Sequence, residues 1–301
     1  MKQEILHILP VRLREGMQKS LSGQAAAEEI RIRIGQPPEI RLKDKSVWLP
    51  EYIRSEDIEE MLTFISRYSI YAYEEEIRQG FLTIEGGHRI GFAGQIRMKG
   101  GQVHTMTNIR FLNIRIASEQ KGCAKGLLPF IYDKESRILN TLFVSEPGIG
   151  KTTFLRDCIR LVSDGGNGRD GKKVCVIDER SELAACHLGI PQNDIGRRTD
   201  VIDGCPKHAG MFMALRSMSP EVIAVDELGG QEDADAVKQA LLYGCKILGT
   251  VHGETIGHTV RLEGIRQICK DRLVGRFVFL KKNKNGDRFF EVYDQEHGRI
   301  C

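Results

Sequence analysis

The chain has 301 residues, enough for one large domain or two ordinary ones, and its 41% hydrophobic content excludes a disordered chain without a core. Its 44 Lys and Arg and 41 Asp and Glu leave a formal net charge of +3 and are mixed along the sequence, so charge alone gives no argument for a nucleic-acid partner. No stretch approaches the ~20 apolar residues of a spanning helix, and the opening MKQEILHILPVRLRE breaks its apolar positions with charges. The reading is a cytoplasmic protein with no direct membrane insertion, able to dock on a membrane protein. The eight cysteines form no C-x-x-C pair and several sit in apolar runs such as Val174-Cys175-Val176, which reads as reduced, mostly buried thiols.

Residues 1–118 read as an α+β module. After a short helical stretch, Ile30-Arg31-Ile32-Arg33-Ile34 alternates as a strand does, and Gly35-Gln36-Pro37-Pro38 turns it into Glu39-Ile40-Arg41-Leu42. Ser55 precedes Glu56 and Asp57, with Ile58, Met61, Leu62 and Ile65 following at i, i+3, i+4 and i+7; this predicts a capped amphipathic helix. A second helix is expected over residues 71–79, stopped by Gly80, and Phe81 to Ile84, Gly86-Gly87 and Arg89 to Ile96 suggest a β-hairpin. Strands continue around Lys99-Gly100-Gly101, and the last, over 108–117, carries Arg110 and Arg115. Residues 119–136, with glycine, lysine and proline, read as a linker.

Residues 137–301 alternate short β-branched runs with helical stretches. Runs over 138–144, 173–177, 221–226 and 245–251 predict buried parallel strands, and the two runs flanking Asn285-Gly286 predict a terminal hairpin. The fold class expected is therefore α/β, a P-loop core with a mostly parallel sheet, preceded by a smaller α+β domain.

Ser145-Glu146-Pro147-Gly148-Ile149-Gly150-Lys151-Thr152-Thr153 follows a strand and opens a helix, the context of a phosphate-binding loop. Backbone amides and the positive helix end suit phosphate oxygens, Lys151 suits the β- and γ-phosphates, and the Thr152 hydroxyl suits Mg2+. Ser145 stands where the G-x-x-x-x-G-K-[ST] pattern has its first glycine. Val222-Ile223-Ala224-Val225 ends in Asp226, placed to hold Mg2+ through water, and Glu227, placed to polarise the attacking water. Asp178, Glu179 and Glu182 follow another predicted strand; they can face the same crevice, or simply form a charged loop. Gly249-Thr250-Val251-His252-Gly253 ends a further strand, with His252 either a sensor of the γ-phosphate or a structural histidine. Together these point to ATP and Mg2+ as the bound species.

In this order, phosphate loop, acidic cluster, strand-end glutamate and histidine resemble the secretion and traffic ATPases of type II, type IV and pilus-retraction machines. Ala214-Leu215-Arg216-Ser217-Met218-Ser219-Pro220-Glu221-Val222-Ile223 looks like that family's A-L-R-x-x-P-[DE]-x-I, Thr250-Val251-His252 looks like its T-[LV]-H, and Gln36-Pro37-Pro38-Glu39-Ile40-Arg41 is similar to its N-terminal domain. The resemblance implies that Glu227 is the catalytic glutamate, that Asp178, Glu179 and Glu182 form an acidic box, and that His252 is the box histidine. It also implies a homo-hexamer in which N-domain arginines, here Arg110 and Arg115, approach the nucleotide. Where the family has Gly before its glutamate and Arg soon after, this chain has Asp226 and Gly229-Gly230.

Val176 to Glu182, Asp226-Glu227-Leu228-Gly229-Gly230 and Ile84-Glu85-Gly86-Gly87-His88-Arg89-Ile90-Gly91 look most like the members that serve endospore formation. Those members imply an ATPase on the inner face of a membrane, held there by integral membrane proteins of a secretion-like channel complex. Two other readings stay open: a nucleic-acid-dependent ATPase gripping phosphates through Arg31, Arg33 and Arg41, and a nucleotide-gated assembly scaffold with slow turnover.

Overall fold

Alternating isoleucines decide the first sheet. In β1 (Ala27–Arg33), Ile30 and Ile32 are fully buried while the residues between and beside them are partly exposed. That buried face continues through β2 (Glu39–Leu42), past the short β3 (Ser46–Trp48), and through β4 (Phe81–Ile84), β5 (His88–Lys99) and β6 (Gln102–Arg115). The strands pair antiparallel in the order β3-β2-β1-β6-β5-β4. Helices α1 (Gln3–Ile8), α2 (Val11–Leu21) and α3 (Ser55–Ile65) complete the core with Ile5, Leu13, Met17, Ile58, Met61 and Ile65. The stripe on α3 is the one its sequence spacing predicts.

The computed structural model describes residues 2–21, 26–65, 77–78, 80–166, 168–259, 261–283 and 285–301. The helix expected at 71–79 lies almost wholly outside them. By its internal contacts the chain divides into two compact units, Met1–Ser118 and Glu119–Cys301.

The second unit is a seven-stranded sheet in the order β13-β12-β7-β11-β10-β8-β9. It comprises β7 (Thr141–Ser145), β8 (Val174–Asp178), β9 (Thr199–Asp203), β10 (Val222–Val225), β11 (Lys246–His252), β12 (Arg276–Lys282) and β13 (Arg288–Asp294). All pairings are parallel except that of β12 with β13, the expected hairpin. Successive residues of β7, β8 and β10 enter cores on opposite faces, so these strands read as continuous apolar runs. One core takes α4 (Lys151–Asp164); the other takes α5 (Lys207–Ser217), α6 (Gln231–Leu242) and α8 (Glu263–Lys270), with the single turn α7 (Ile256–Thr259) between strand and α8.

Two expectations need correction. Residues 119–136 are not a linker: Ala124, Leu127 and Ile131 are fully buried in the second unit, and the Ala124 amide donates to the buried Asp157 carboxylate of α4 at 2.8 Å. The apolar residues at 124, 127 and 131 outweigh the glycine and proline around them. Strand β9 went unforeseen because Thr199-Asp200-Val201-Ile202-Asp203 has two acids and no buried residue, as an edge strand paired only with β8 permits. All eight cysteines are free; Cys158, Cys175, Cys186 and Cys245 are buried, Cys123 and Cys301 exposed.

Candidate functional site

The site is built at the carboxyl ends of β7, β11, β10 and β8, which are adjacent in the sheet. Residues 146–150 join β7 to α4, with Gly148 at φ 77° and Gly150 at φ 111°, backbone conformations that glycine adopts without strain. A side chain on Gly150 would also meet the Arg288 guanidinium at 3.2 Å. Ser145 needs no such freedom, since its φ is not positive. It is the buried last residue of β7, its hydroxyl donates to the Glu146 carbonyl at 2.8 Å, and its own carbonyl accepts from Lys151 Nζ at 3.1 Å. The departure from the phosphate-loop pattern therefore falls on a strand residue, not on the turning part of the loop. The first amides of α4 have no carbonyl four residues behind them within the helix, which leaves them available to an anion.

One strand away, β10 ends at Val225, and Asp226 and Glu227 follow it. Glu227 has φ 54°, the left-handed region, which is uncommon for a residue with a side chain and is held here by its neighbours. Thr250 of β11 is one of them: its buried hydroxyl accepts from the Glu227 amide at 2.8 Å and donates to Asp226 Oδ1, while its carbonyl accepts from the Leu228 amide at 2.8 Å. The other Asp226 oxygen accepts from the Thr152 hydroxyl at 2.7 Å. Sequence reasoning quoted Thr250 but gave it no role; the signal was its place two residues before His252, on the same face of the strand.

A chain of contacts joins the start of α4 to the acidic loop after β8. Lys151 Nζ lies 3.1 Å from His252 Nδ1, His252 Nε2 lies 2.9 Å from Glu227 Oε1, and Arg180 Nη1 donates to Glu227 Oε2 at 3.1 Å. A charged lysine can only donate, so Nδ1 accepts and Nε2 carries the proton given to Glu227; one neutral tautomer satisfies both contacts. Burial pushes the Lys151 ammonium below its ordinary value, against the opposing pull of Asp226 and Glu227. Burial also works against ionisation of Glu227, but His252, Arg180 and Lys151 together hold its carboxyl below the usual range.

The acidic residues separate into two uses. Asp178, 2% exposed at the end of β8, accepts the amides of Glu182, Leu183 and Ala184 at 2.8, 3.0 and 2.8 Å. It thereby shapes the loop, and burial pushes its carboxyl up to about 6. Glu179 pairs with Lys207 of α5, and Glu179, Arg180, Glu182 and Lys207 line a narrow cleft with Asp226 and Glu227. Arg180 and Lys207 were not assigned from sequence; the signal for Arg180 was a lone cation in a crowded acidic loop, whereas Lys207, at the start of α5, meets Glu179 only through the fold. Arg110 and Arg115 are exposed on β6 of the first unit, where Arg110 donates to the Ser55 hydroxyl at 3.3 Å.

A magnesium ion fits the donors present. The Thr152 hydroxyl and an Asp226 carboxylate oxygen lie side by side, hard oxygen ligands of the kind that ion takes one or two at a time while keeping water and substrate phosphates. Among the described residues no group of three or more His, Cys, Asp or Glu is arranged to hold a metal by itself. Beside the loop opens a cavity of about 610 Å³, lined by residues 145–149, 253–255 and 279–282, within the size range of small-molecule sites. Among the described residues no helix is long and apolar enough to cross a membrane.

Comparison with known proteins agrees with this architecture. A family model described as Sporulation stage III, protein AA matches residues 1–300. Stage III sporulation protein AA of Bacillus subtilis is 39% identical over 294 residues, covering 97% of this chain and 95% of its own. Among solved structures, the Legionella pneumophila ATPase DotB superposes with a TM-score of 0.61 at 16% identity, covering 95% of this chain and 81% of its own. The pilus retraction motor PilT, solved with ADP, superposes with a TM-score of 0.64 at 17% identity, covering 97% and 82%. The fold is thus that of the P-loop secretion ATPases, and the chain belongs to the sporulation stage III protein AA family.

Proposed function

We propose that this protein binds ATP with Mg2+ on residues 145–153 and hydrolyses it to drive or assemble a secretion-like membrane channel complex during endospore formation. The observation that carries the reading is the pairing of Thr152 with Asp226 at 2.7 Å beside the contacts from Lys151 through His252 to Glu227. A threonine hydroxyl, a lysine and two carboxylates converge at the carboxyl edge of one sheet. The role in endospore formation rests on the family and on the Bacillus subtilis relative.

Lys151 would turn from His252 and the Ser145 carbonyl to the β- and γ-phosphates, and the amides of residues 148–152 would cradle their oxygens. Bound Mg2+, held by Thr152 and through water by Asp226, would neutralise developing charge. Glu227 would orient and polarise the attacking water. Asp178 would act by holding the acidic loop in shape, with Glu179 and Glu182 presented on it. His252, between Lys151 and Glu227, would register whether a γ-phosphate is present. Arg110 and Arg115 would reach the nucleotide of a neighbouring copy in a homo-hexamer. The protein would sit peripherally on the inner face of a membrane, through integral membrane partners.

The test is the mass of the purified protein with and without ATP and Mg2+, recorded alongside phosphate release. A nucleotide-promoted hexamer that releases phosphate, with Lys151→Ala inactive, is expected; wild-type turnover by Lys151→Ala would sink the site assignment. One observation favours the slow scaffold reading: both Glu227 oxygens are already held, by His252 and Arg180. Tight ATP binding with almost no turnover would decide for it.

A further inference from the structure

Arg180 stands on the acidic loop with its side chain 65% exposed, where an arginine ordinarily does no more than keep the surface solvated. The loop around it is nevertheless fixed from several sides. Asp178 accepts three amides on its C-terminal flank, Ser181 adopts φ 51° with its hydroxyl donating to Asp203 Oδ1 at 2.7 Å, and Glu179 pairs with Lys207. These anchors leave Arg180 reaching across to the strand-end glutamate that follows β10. Glu227 is fixed on its own side by Thr250 at the backbone and by His252 at Oε1, and the guanidinium takes Oε2 at 3.1 Å.

Resting on the hydrolytic reading above, we infer that Arg180 is a positioning residue for Glu227: it holds one carboxylate oxygen so that the other, now on His252, is presented to the attacking water. The two oxygens of Glu227 are not equivalent. Oε1 is shared with a histidine that also contacts Lys151, so it is the oxygen whose surroundings change when Lys151 moves to phosphate. Among the described residues Oε2 is hydrogen-bonded by Arg180 alone, and Arg180 makes no direct hydrogen bond to residues 145–151. A planar guanidinium on the distal oxygen therefore keeps the carboxylate from rotating as the groups around Oε1 change.

The test compares wild type, Arg180→Ala and Arg180→Lys for ATP affinity and for kcat and KM of phosphate release, with Lys151→Ala as the binding-dead control. Arg180→Ala is expected to lower kcat about tenfold or more with KM and ATP affinity within about twofold, and Arg180→Lys to recover part of the loss. In a Glu227→Gln background Arg180→Ala should add almost nothing, because both changes act on one group. Arg180→Ala with wild-type kcat, or a loss fully additive with Glu227→Gln, would overturn the inference while leaving hydrolysis intact. A wild type that binds ATP through Lys151 but releases no phosphate would overturn the hydrolytic reading, and the role of Arg180 with it. Loss of ATP affinity in both Arg180 variants would show a merely structural arginine and also overturn it.

Discussion

The Thr152 hydroxyl donates to Asp226 Oδ2 at 2.7 Å across 74 residues of sequence, so the first turn of α4 and the end of β10 are joined through these two side chains. The opposite oxygen of Asp226 is fixed by Thr250, which leaves the carboxylate with little freedom of rotation.

If this pair holds Mg2+, Thr152→Ala removes a ligand and also releases Asp226. The Mg2+ concentration needed for half-maximal phosphate release is then expected to rise about tenfold or more, with Thr250→Ala giving a smaller shift through loss of the supporting contact. A Mg2+ titration of phosphate release reads both, and an unchanged Mg2+ requirement in Thr152→Ala would count against the site.

Glu227→Gln keeps the size of the side chain and its contacts in altered form but removes the carboxylate proposed to polarise the attacking water. ATP affinity is expected to stay within about twofold while kcat falls on the order of 10² to 10⁴-fold. Equal losses of affinity and turnover would place Glu227 in nucleotide binding.

The features legible in the sequence are those with a local signature. The isoleucines of β1, the stripe Ile58, Met61 and Ile65 of α3, and the loop from Ser145 to Thr153 are each decided by residues close in sequence. Those missed depend on partners far away. Thr250 matters because Asp226 and Glu227 end the next strand, and Arg180 because Glu227 faces it from 47 residues on. The buried segment around Ala124 is likewise held by Asp157, 33 residues later, which no local composition reveals. Asp178 reads from sequence as one acid of a cluster; only the amides it accepts show that it faces inward.

Asp178 gives a pH prediction with a definite sign. Its carboxyl is raised from 3.8 to about 6 in the folded chain, chiefly by burial, so between those values the folded state binds more protons than the unfolded one. This contribution to stability is fully present below the lower value and is lost as pH rises through about 6, amounting to about 3 kcal/mol in all and about 1 kcal/mol between pH 5 and pH 8. Asp178→Asn lacks the titration. Denaturant unfolding of both proteins at several pH values is therefore expected to show the variant gaining on wild type as pH rises, and a constant difference would refute the buried protonated acid.

The Gly229-Gly230 pair after Glu227 packs under α8. A Cβ added to Gly264 of that helix would lie 2.1 Å from the Gly230 carbonyl oxygen and 3.0 Å from that of Gly229, so helix and loop touch backbone to backbone. Gly264→Ala is expected to cost about 1–3 kcal/mol by forcing the helix away. Gly229→Ala, whose Cβ would meet nothing within 4 Å, is expected to cost about 1 kcal/mol or less. Urea unfolding distinguishes the two, and equal effects would mean the close approach is not what Gly264 serves.

The tautomer of His252 is a signature of its two contacts that needs no turnover to be read. Lys151 Nζ at 3.1 Å from Nδ1 and Glu227 Oε1 at 2.9 Å from Nε2 leave one neutral arrangement in which both contacts are hydrogen bonds, with the proton on Nε2. Nitrogen NMR of the ring, assigned through His252→Gln, is expected to show that tautomer in the absence of ATP at a pH where the ring is neutral. Lys151→Ala removes the donor to Nδ1, but Glu227 still favours a proton on Nε2, so the tautomer should persist there. Glu227→Gln removes the charged acceptor, but the Lys151 ammonium still requires Nδ1 to accept, so the tautomer should persist there too, and only the double variant should let the two tautomers mix. Mixing in one single variant and not in the other separates a histidine fixed by Glu227 from one fixed by Lys151. Mixing in Lys151→Ala but not in Glu227→Gln would mean that His252 reports on the phosphate loop first, and that release of Glu227 is the consequence of lysine movement rather than its companion.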